Sequence, residues 1–214
     1  MHCFKVSKMT VIFLTTVLSS ILIGANFSGS AMGQTNDTVQ GNGTDYTGFH
    51  SNIEQIKGHL DKAVYNKHLN NQTLTVAHTL HPIEEILSLI TIPLSQSDSN
   101  LNQTYFENLN QLSTLASKNI TVADFDKQAN LSLQLSNKVV DTVVPADVLG
   151  STDHNASVIK HLLTVAGSEY AEGVAEGKIA LIFEFQDGSA FIDRAYSLFN
   201  KTQNISNDTN AVTQ

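Results

Sequence analysis

The sequence has almost no cysteine, and this shortage narrows the chemistry open to the protein. The single cysteine, Cys3, lies in the apolar N-terminal segment, so the rest of the chain has neither a disulfide nor a thiolate ligand. Tryptophan is absent and only three prolines are present. A domain without disulfides must be held by its hydrophobic core, and the remaining length is enough for one core of ordinary size.

Basic residues are also scarce. The chain has 12 Lys and Arg against 20 Asp and Glu, a formal net charge of −8. Two of the basic residues, Lys5 and Lys8, precede the first acid, Asp37, so the part after residue 33 has 10 basic against 20 acidic residues. This balance excludes nucleic acid as a partner, because such binding rests on Lys and Arg contacts to phosphate. It suits a solvated surface, or a protein that collects cations.

Several catalytic motifs are missing as well. The sequence has no glycine-rich phosphate loop, no Gly-x-Ser-x-Gly and no His-Glu-x-x-His, and no cysteine nucleophile follows the N-terminal segment. We therefore expect a protein that is not an enzyme.

The N-terminus has the three-part pattern of a secretory signal over residues 1–33. Lys5 and Lys8 precede an apolar run at 9–25, and Ala31-Met32-Gly33 supplies the small residues of a cleavage site. The alternative is an uncleaved N-terminal anchor, although the run is short for a membrane span. We expect a secreted or cell-surface protein, N-terminally anchored if the signal is retained.

Asn-x-Ser/Thr sequons support export. In an exported chain such sequons can carry glycans, although an Asn- and Thr-rich composition also produces them by chance. We expect a glycoprotein if the host glycosylates. After residue 33 the sequons begin at Asn36, Asn42, Asn71, Asn102, Asn119, Asn130, Asn155, Asn200, Asn204 and Asn207.

The chain after the signal divides into three parts. Residues 34–47 are polar and predict a flexible leader, and residues 200–214 predict a disordered polar tail. Between them, residues 48–199 repeat apolar positions at three and four, which predicts an all-α, up-and-down bundle of about six helices. The helices are expected near 49–64, 74–90, 105–116, 125–140, 158–176 and 180–198, the second stopping near Pro93 before a loop at 95–100; only residues 179–185, IALIFEF, suggest a strand.

A faint internal repeat suggests two similar helical hairpins. IKGHLDKAV at 56–64 aligns with IKHLLTVAG at 159–167, and LHPIEEILSLI aligns more loosely with FQDGSAFIDRAYSLF. If the repeat is real, the two hairpins form a four-helix core, and residues 101–142 are an insertion or side layer.

Three pairs of potential ligands at i, i+3 spacing are the candidate site. This spacing places both members of a pair on one helix face, and helical bundles build metal sites from facing carboxylates and histidines. A set of imidazole and carboxylate without sulfur suits iron, copper(II) or zinc. The pairs are His78 and His81, with Glu84 and Glu85 beyond them, then Glu169 and Glu172, then Glu184 and Asp187.

Pro82 admits two interpretations. It can kink the helix near His78–Pro82 and open room for a ligand, or it can begin a helix, with Glu84 and Glu85 in the favourable first turn. His50 and His59, on the first predicted helix, would extend the site or form a second one. His68, His154 and His161 are expected at the surface.

The motif His81-Pro-Ile-Glu84, with Ile86 and Leu87 after it, resembles the His-x-x-Glu signature of imelysin-like proteins, with Thr79 where that family has glycine. Those are exported helical bundles that include partners of iron-uptake systems. The extracytoplasmic helical domain of iron permeases is similar in its Leu-x-x-Ala hairpins. The composition also resembles that of exported archaeal proteins, including those of ammonia oxidisers.

These observations predict a secreted helical bundle that binds a transition metal, iron or copper with zinc as a further candidate, as a non-catalytic carrier or scavenger. A membrane transporter or another cell-surface protein would be its partner. The alternative is a glycosylated cell-surface interaction or structural module without a metal.

Overall fold

The computed structural model describes residues 44–118 and 120–212, so the predicted signal at 1–33 and most of the predicted leader lie outside the described residues. The described part confirms the all-α class, with one two-stranded hairpin between its last two helices. The elements are α1 (Tyr46–His68), α2 (Gln72–His81), a π-helical turn (Pro82–Ile86), α3 (Leu87–Ser97), α4 (Ser99–Ala116), α5 (Val122–Val143), α6 (Ala146–Leu149), α7 (Thr152–Gly173), β1 (Val174–Ala175), β2 (Lys178–Ile179) and α8 (Ile182–Val212).

Side-chain caps fix where most of the helices begin. In each case an Asp, Asn, Thr or Ser just before the first turn accepts a hydrogen bond from a backbone N–H three residues later, which satisfies one of the free donors of that turn. The capping residues are Asp45 for α1, Asn71 for α2, Asp98 for α4, Thr121 for α5 and Ser151 for α7.

Helix α1 is the central element of the bundle. It packs against α2, α3, α5, α7 and α8. One of its faces carries Phe49, Ile53, Ile56 and Leu60, which join buried side chains of the π-turn and of α3, α4 and α5 in the larger apolar cluster. Because α1 has neighbours on several sides, many of its polar residues are buried as well.

The α7–α8 hairpin has a separate, smaller apolar cluster that includes Val158, Leu162, Ala190 and Phe191. The interface between this hairpin and α1–α2 is therefore more polar than the interior of either cluster. The two hairpins pack together as the repeat predicts, but α4 and α5 are not a side layer, because they supply much of the larger cluster.

Pro82 lies inside a continuous helical path. His81 and Pro82 both have right-handed helical dihedrals, so no break precedes the proline. Proline has no N–H to continue the ladder, and the chain forms a wider π-helical turn in which the N–H of Leu87 bonds to the carbonyl of Pro82. Such π-turns often occur at functional sites.

Two predicted boundaries near residue 95 are wrong. Helix α3 continues through Pro93 to Ser97, and Asp98 alone separates it from α4. The flanking residues Leu89 and Ile92 are exposed, so water can satisfy a carbonyl that loses its bond at Pro93.

The connection between α7 and α8 is a short hairpin rather than the strand suggested by IALIFEF. Glu176 and Gly177 both have positive φ, 53° and 73°, as in the tight turns that join two antiparallel strands. Only Ile179 of that segment belongs to a strand, and Ile182 already lies in α8. Helix α8 then continues to Val212, across residues for which the sequence predicts a polar tail. None of the described helices is long and apolar enough to span a membrane.

Gly173 lets the hairpin close, and its replacement should be costly. A Cβ there would lie 2.6 Å from the backbone nitrogen of Phe185, whereas a Cβ at Gly167 on the same helix would meet nothing within 4 Å. We expect Gly173→Ala to lower the free energy of unfolding by about 1–3 kcal/mol through overpacking. Gly167→Ala should raise it by about 0.5–1 kcal/mol through helix propensity. Urea denaturation of both variants measures the contrast, and equal effects would contradict it.

Candidate metal centre

Four side chains from three helices meet between the two hairpins. His59 comes from α1, His78 and His81 from α2, and Asp187 from α8. Oδ1 of Asp187 lies 2.8 Å from Nδ1 of His59 and 3.1 Å from Nδ1 of His78, and its Oδ2 lies 3.4 Å from Nδ1 of His81. One ligand atom from each of His59, His81 and Asp187 falls within 4.8 Å of the others.

Close helix packing brings these side chains together. At Gly58 a Cβ would lie 3.1 Å from the ring of Phe191 and 3.2 Å from Cβ of Ala190, so glycine allows α8 to approach α1 next to His59. On α2, the i, i+3 spacing places both histidines on the face toward α8. Asp187, on α8, is fully buried in this interface.

His78 and His81 each have a partner at Nε2, the ring nitrogen away from Asp187. These contacts orient the two rings so that Nδ1 of each faces the centre. Nε2 of His78 lies 2.7 Å from Oε1 of Gln186, which also accepts from Asn66. Because that carbonyl oxygen only accepts, His78 donates through Nε2, and its Nδ1 faces Asp187. Nε2 of His81 is 2.6 Å from the carboxylate of Glu85. Carboxylate and carbonyl partners of this kind orient metal-binding histidines in proteins.

The inner atoms of the cluster lack directional hydrogen bonds. Nδ1 of His59, His78 and His81 and both carboxylate oxygens of Asp187 are buried with no hydrogen-bond partner of good geometry, despite their short separations. Unpartnered buried polar atoms are costly. The separations of 2.8–3.4 Å approach the roughly 3.3–3.4 Å between neighbouring ligands of a tetrahedral ion with bonds of about 2.0–2.1 Å, and the two shorter ones would lengthen when an ion binds.

The pKa values of Asp187, His59 and His81 are shifted in different directions by burial and by their neighbours. Burial alone would raise the pKa of Asp187, but the three imidazoles hold it well below its usual range. Burial lowers the pKa of His59. For His81 the effect of burial is outweighed by Asp187 and Glu85, which raise its pKa to about 9. The metal-free cluster therefore holds a proton on His81 at neutral pH, and a cation bound at Nδ1 would displace it.

Aromatic rings cover the inner side of the cluster. The ring of Phe183 stacks on His78 with centroids 4.4 Å apart and lies 4.8 Å from the ring of His81. Phe191 meets the ring of His59 edge-on at 5.3 Å. The side chain of His81 is 16% exposed, and Glu85 beside it is 64% exposed. An ion would therefore enter past His81 and Glu85.

The predicted residues divide into two groups. The structure brings His78, His81 and Asp187 together, and Glu85 contacts the outer nitrogen of His81 rather than the centre. Glu84 is exposed on the π-turn, and no hydrogen bond or ion pair joins it to another described residue. Neither Glu84 nor Glu85, both candidate ligands from the sequence, belongs to the group of close ligand atoms formed by His59, His81 and Asp187.

The other three predicted acids are Glu169, Glu172 and Glu184. Glu169 and Glu184 form a hydrogen-bonded pair, and Glu172 lies near them. Burial, followed by the hydrogen bond and charge of Glu184, raises the pKa of Glu169 to about 7. Glu172 is exposed and adds a smaller repulsion. The three acids are not part of the group of ligand atoms around Asp187. The group of close ligand atoms contains His59 of α1 and no residue of α7, so ligation by Glu169 and Glu172 stays a prediction.

Glu169→Gln is expected to stabilise the protein at alkaline pH. The folded pKa of about 7 lies above the ordinary value of 4.5, so folding disfavours ionisation of this carboxyl. The resulting cost is absent below pH 4.5 and complete above pH 7. Because the group is half-buried, we expect the variant to gain about 1 kcal/mol at pH 8 and nothing at pH 4.5. Urea denaturation at both pH values tests this, with Glu107→Gln on α4 as an exposed control; a gain that does not depend on pH would contradict it.

The sequence placed His59 only as an extension of the site or as part of a second one, because it is a single histidine rather than one of an i, i+3 pair. A signal was nevertheless present. It lies between Ile56, Leu60 and Ala63, which mark the buried face of α1, and the internal repeat aligns it with Leu162, which is fully buried. A histidine in a position that the repeat fills with a core leucine is a candidate for a buried functional group.

A second group of polar residues surrounds the other end of α1. His50 and His154 stack with centroids 5.3 Å apart, and Nδ1 of His50 lies 3.1 Å from Nε2 of His154. His154 is 8% exposed, so its predicted surface location is wrong; Ser151 caps α7 and turns it toward α1. His68 and His161 are exposed as expected, with Asp126 and Ser51 as their respective partners.

Glu54 is the buried ionic link of this end. It is 1% exposed, and its Oε1 accepts from Nζ of Lys57 at 2.6 Å. Its Oε2 accepts from Nε and an NH2 group of Arg194 at 2.8 and 2.6 Å. Burial would raise the pKa of Glu54, but the hydrogen bond with His50 and the charges of Lys57 and Arg194 hold it well below its usual range. The link ties α1 to α8.

Comparison with known proteins gives one match, in the last third of the chain. Residues 145–214 match the family described as the iron permease-associated 4-helix bundle domain. No curated protein and no solved structure matches the chain significantly. The matched segment contains α6, α7 and α8, and thus Asp187, whereas the three histidines of the centre precede it. The match supports the iron-permease helical-bundle family for this part of the chain.

Proposed function

We propose that the protein binds one divalent transition metal ion at His59, His78, His81 and Asp187, and that it carries or scavenges this ion without catalysing a reaction. Iron is the first candidate, because residues 145–214 match an iron permease-associated domain. Copper(II) and zinc also suit a set of three imidazoles and one carboxylate.

The observation that carries this proposal is the arrangement of Nδ1 of His78 and Oδ1 of Asp187. His78 donates through Nε2 to Gln186, so a lone pair on its Nδ1 would be directed at a carboxylate oxygen 3.1 Å away. Two acceptors at this distance repel each other unless a cation lies beside them. A metal ion held by His59, His81 and Asp187, whose ligand atoms lie within 4.8 Å of one another, would relieve this repulsion, and His78 would be its fourth ligand.

Metal uptake by the untagged, metal-stripped chain tests the proposal. We expect one equivalent of Fe(II), Cu(II) or Zn(II) to bind, with release of protons from His81 at neutral pH. The double variant His78→Ala/His81→Ala should lose this binding. The matched control is His68→Ala/His161→Ala, which removes two exposed histidines and should bind as the wild type does. Wild-type binding that is absent, or that survives in the first variant, would overturn the proposal.

We further propose that the protein acts outside the cytoplasm and delivers its ion to a membrane transporter or another cell-surface protein. The signal-like pattern at residues 1–33, which lies outside the described residues, supports export, and the permease-associated match suits a transporter partner.

Of the sequons, Asn155 would not be glycosylated in the folded protein, because it is buried and its amide donates to Leu149 and Ser151. Cell fractionation and mass spectrometry of the purified protein test location and glycan sites.

A surface of α8 supports the second candidate, an interaction or structural module. Ile192, Tyr196 and Phe199 are 50%, 65% and 48% exposed and share one helix face by their i, i+4, i+7 spacing. Exposed apolar side chains grouped in this way are typical of binding surfaces. The two functions are separated by the metal experiment, since a pure interaction module binds no stoichiometric ion.

A further inference from the structure

A cavity of about 410 Å³ lies at the other end of α1, between α1, α5, α7 and α8, with α6 at its edge. Arg194 and Lys201 of α8 line it, together with Lys57 of α1. Arg194 is seven residues beyond Asp187 on the same helix, roughly 10 Å along its axis, so this cavity is separate from the candidate metal centre.

Basic side chains are concentrated in the lining of this cavity, although the chain as a whole has a net negative charge. Three of the 12 basic residues of the sequence line it. Burial lowers the pKa of Lys57, Glu54 opposes this shift, and the charges of Arg194 and Lys201 add to it. Lys57 is therefore close enough to Arg194 and to Lys201 for their charges to act on it. An anion between them would relieve the repulsion between these like charges.

The acids of the cavity do not balance these three cations. Glu54 is already engaged by Lys57 and Arg194, and Asp141 is exposed at the edge. Lys201 forms no ion pair or hydrogen bond with any described residue, so its ammonium group is available. Even with Asp141 counted, the lining keeps a net positive charge.

The size and lining of the cavity indicate the kind of anion. A volume of about 410 Å³ is in the range of sites for small organic ligands, roughly 300–1,000 Å³, and exceeds what a single inorganic ion needs. Asn137 and Ser197 add neutral hydrogen-bond donors to the cations. Carboxylates accept from both ammonium and guanidinium groups.

We propose that this cavity binds a small organic anion with one or two carboxylates, held by Lys201, while Lys57 and Arg194 add positive charge although they already pair with Glu54 and Asp61. Succinate is a suitable probe because it has two carboxylates and binds metal ions weakly. Isothermal titration of the metal-stripped full chain should show saturable one-to-one binding of succinate, and the same binding in Asp187→Asn, which alters only the metal centre.

The key variant is Lys201→Gln, because this exposed residue makes no contact that the fold needs. We expect it to weaken succinate binding by at least about tenfold, while Lys160→Gln on the exposed side of α7 leaves binding unchanged. Inorganic phosphate and acetate are titrated in parallel. Absence of saturable succinate binding, or equal binding by Lys201→Gln, would overturn the proposal. Phosphate that binds more tightly than succinate would overturn the assignment to an organic anion.

Discussion

Asp187→Asn is expected to abolish most of the metal-dependent stabilisation of the protein. A ligand that binds only the folded state at 1,000 times its dissociation constant adds about 4 kcal/mol to the free energy of unfolding. Asparagine keeps the size of the side chain but supplies no charge to the ion or to the three imidazoles that contact Asp187. If affinity falls a thousandfold, the gain at the same metal concentration drops to about 0.4 kcal/mol. Urea denaturation with and without the metal measures both gains.

The matched control for this prediction is Glu84→Gln. It removes a carboxylate that is exposed on the π-turn two residues after Pro82, close to the centre in sequence but not directed into it. Its metal-dependent gain should equal that of the wild type. A full gain in Asp187→Asn would show that the ion binds elsewhere, and a loss in Glu84→Gln would show that the π-turn supplies a ligand.

Glu54→Gln is expected to lower the free energy of unfolding by about 3–5 kcal/mol, the usual effect of removing one partner of a buried ion pair. The variant leaves Lys57, which is 8% exposed, without its carboxylate. It also removes the charge that holds Arg194 against α1. Urea denaturation at pH 7 measures the loss. The control is Asp61→Asn, since Asp61 is 48% exposed and lies 3.7 Å from Arg194, and exposed pairs contribute at most about 1 kcal/mol.

The same carboxylate predicts a pH dependence of stability. The pKa of Glu54 in the folded protein lies below its ordinary value of 4.5, so its stabilisation is present above pH 4.5 and is lost as the pH falls toward the folded pKa. Glu54→Gln has no such group. The difference in free energy of unfolding between wild type and variant should therefore shrink as the pH is lowered below 4.5. A difference that stays constant would contradict the assignment of Glu54 as ionised and buried.

Local rules of helix formation made much of the fold readable from the sequence. The apolar positions of α1 recur at three and four because one face joins the larger cluster, and Thr121 was recognisable as the cap of α5. Prolines were less reliable. Pro93 suggested a stop and is inside α3, because proline ends a helix only when its surroundings cannot satisfy the freed carbonyl.

The sequence predicts some residues of the candidate centre but not others, because the centre depends on how the helices pack against one another. His78, His81 and Asp187 were found from i, i+3 pairs, which are a property of single helices. The choice between Asp187 and Glu184, or between Glu85 and His59, depends on which faces of α1, α2 and α8 meet, and a single sequence contains no direct record of that pairing. The repeat alignment supplied one tertiary clue, by placing His78 and His81 opposite Glu184 and Asp187, but it does not choose between these two acids.

The positions of the four proposed ligands along the chain also set the order in which the centre can form. His59, His78 and His81 belong to one helical hairpin, α1–α2, and can meet early, whereas Asp187 lies on α8, beyond α3 to α7. Closing a loop of roughly 100 residues is an entropic cost that must be met by packing before the carboxylate arrives. The unfolded chain therefore has no complete site, and metal loading should begin only after α8 has docked, which makes bound metal a reporter of completed folding.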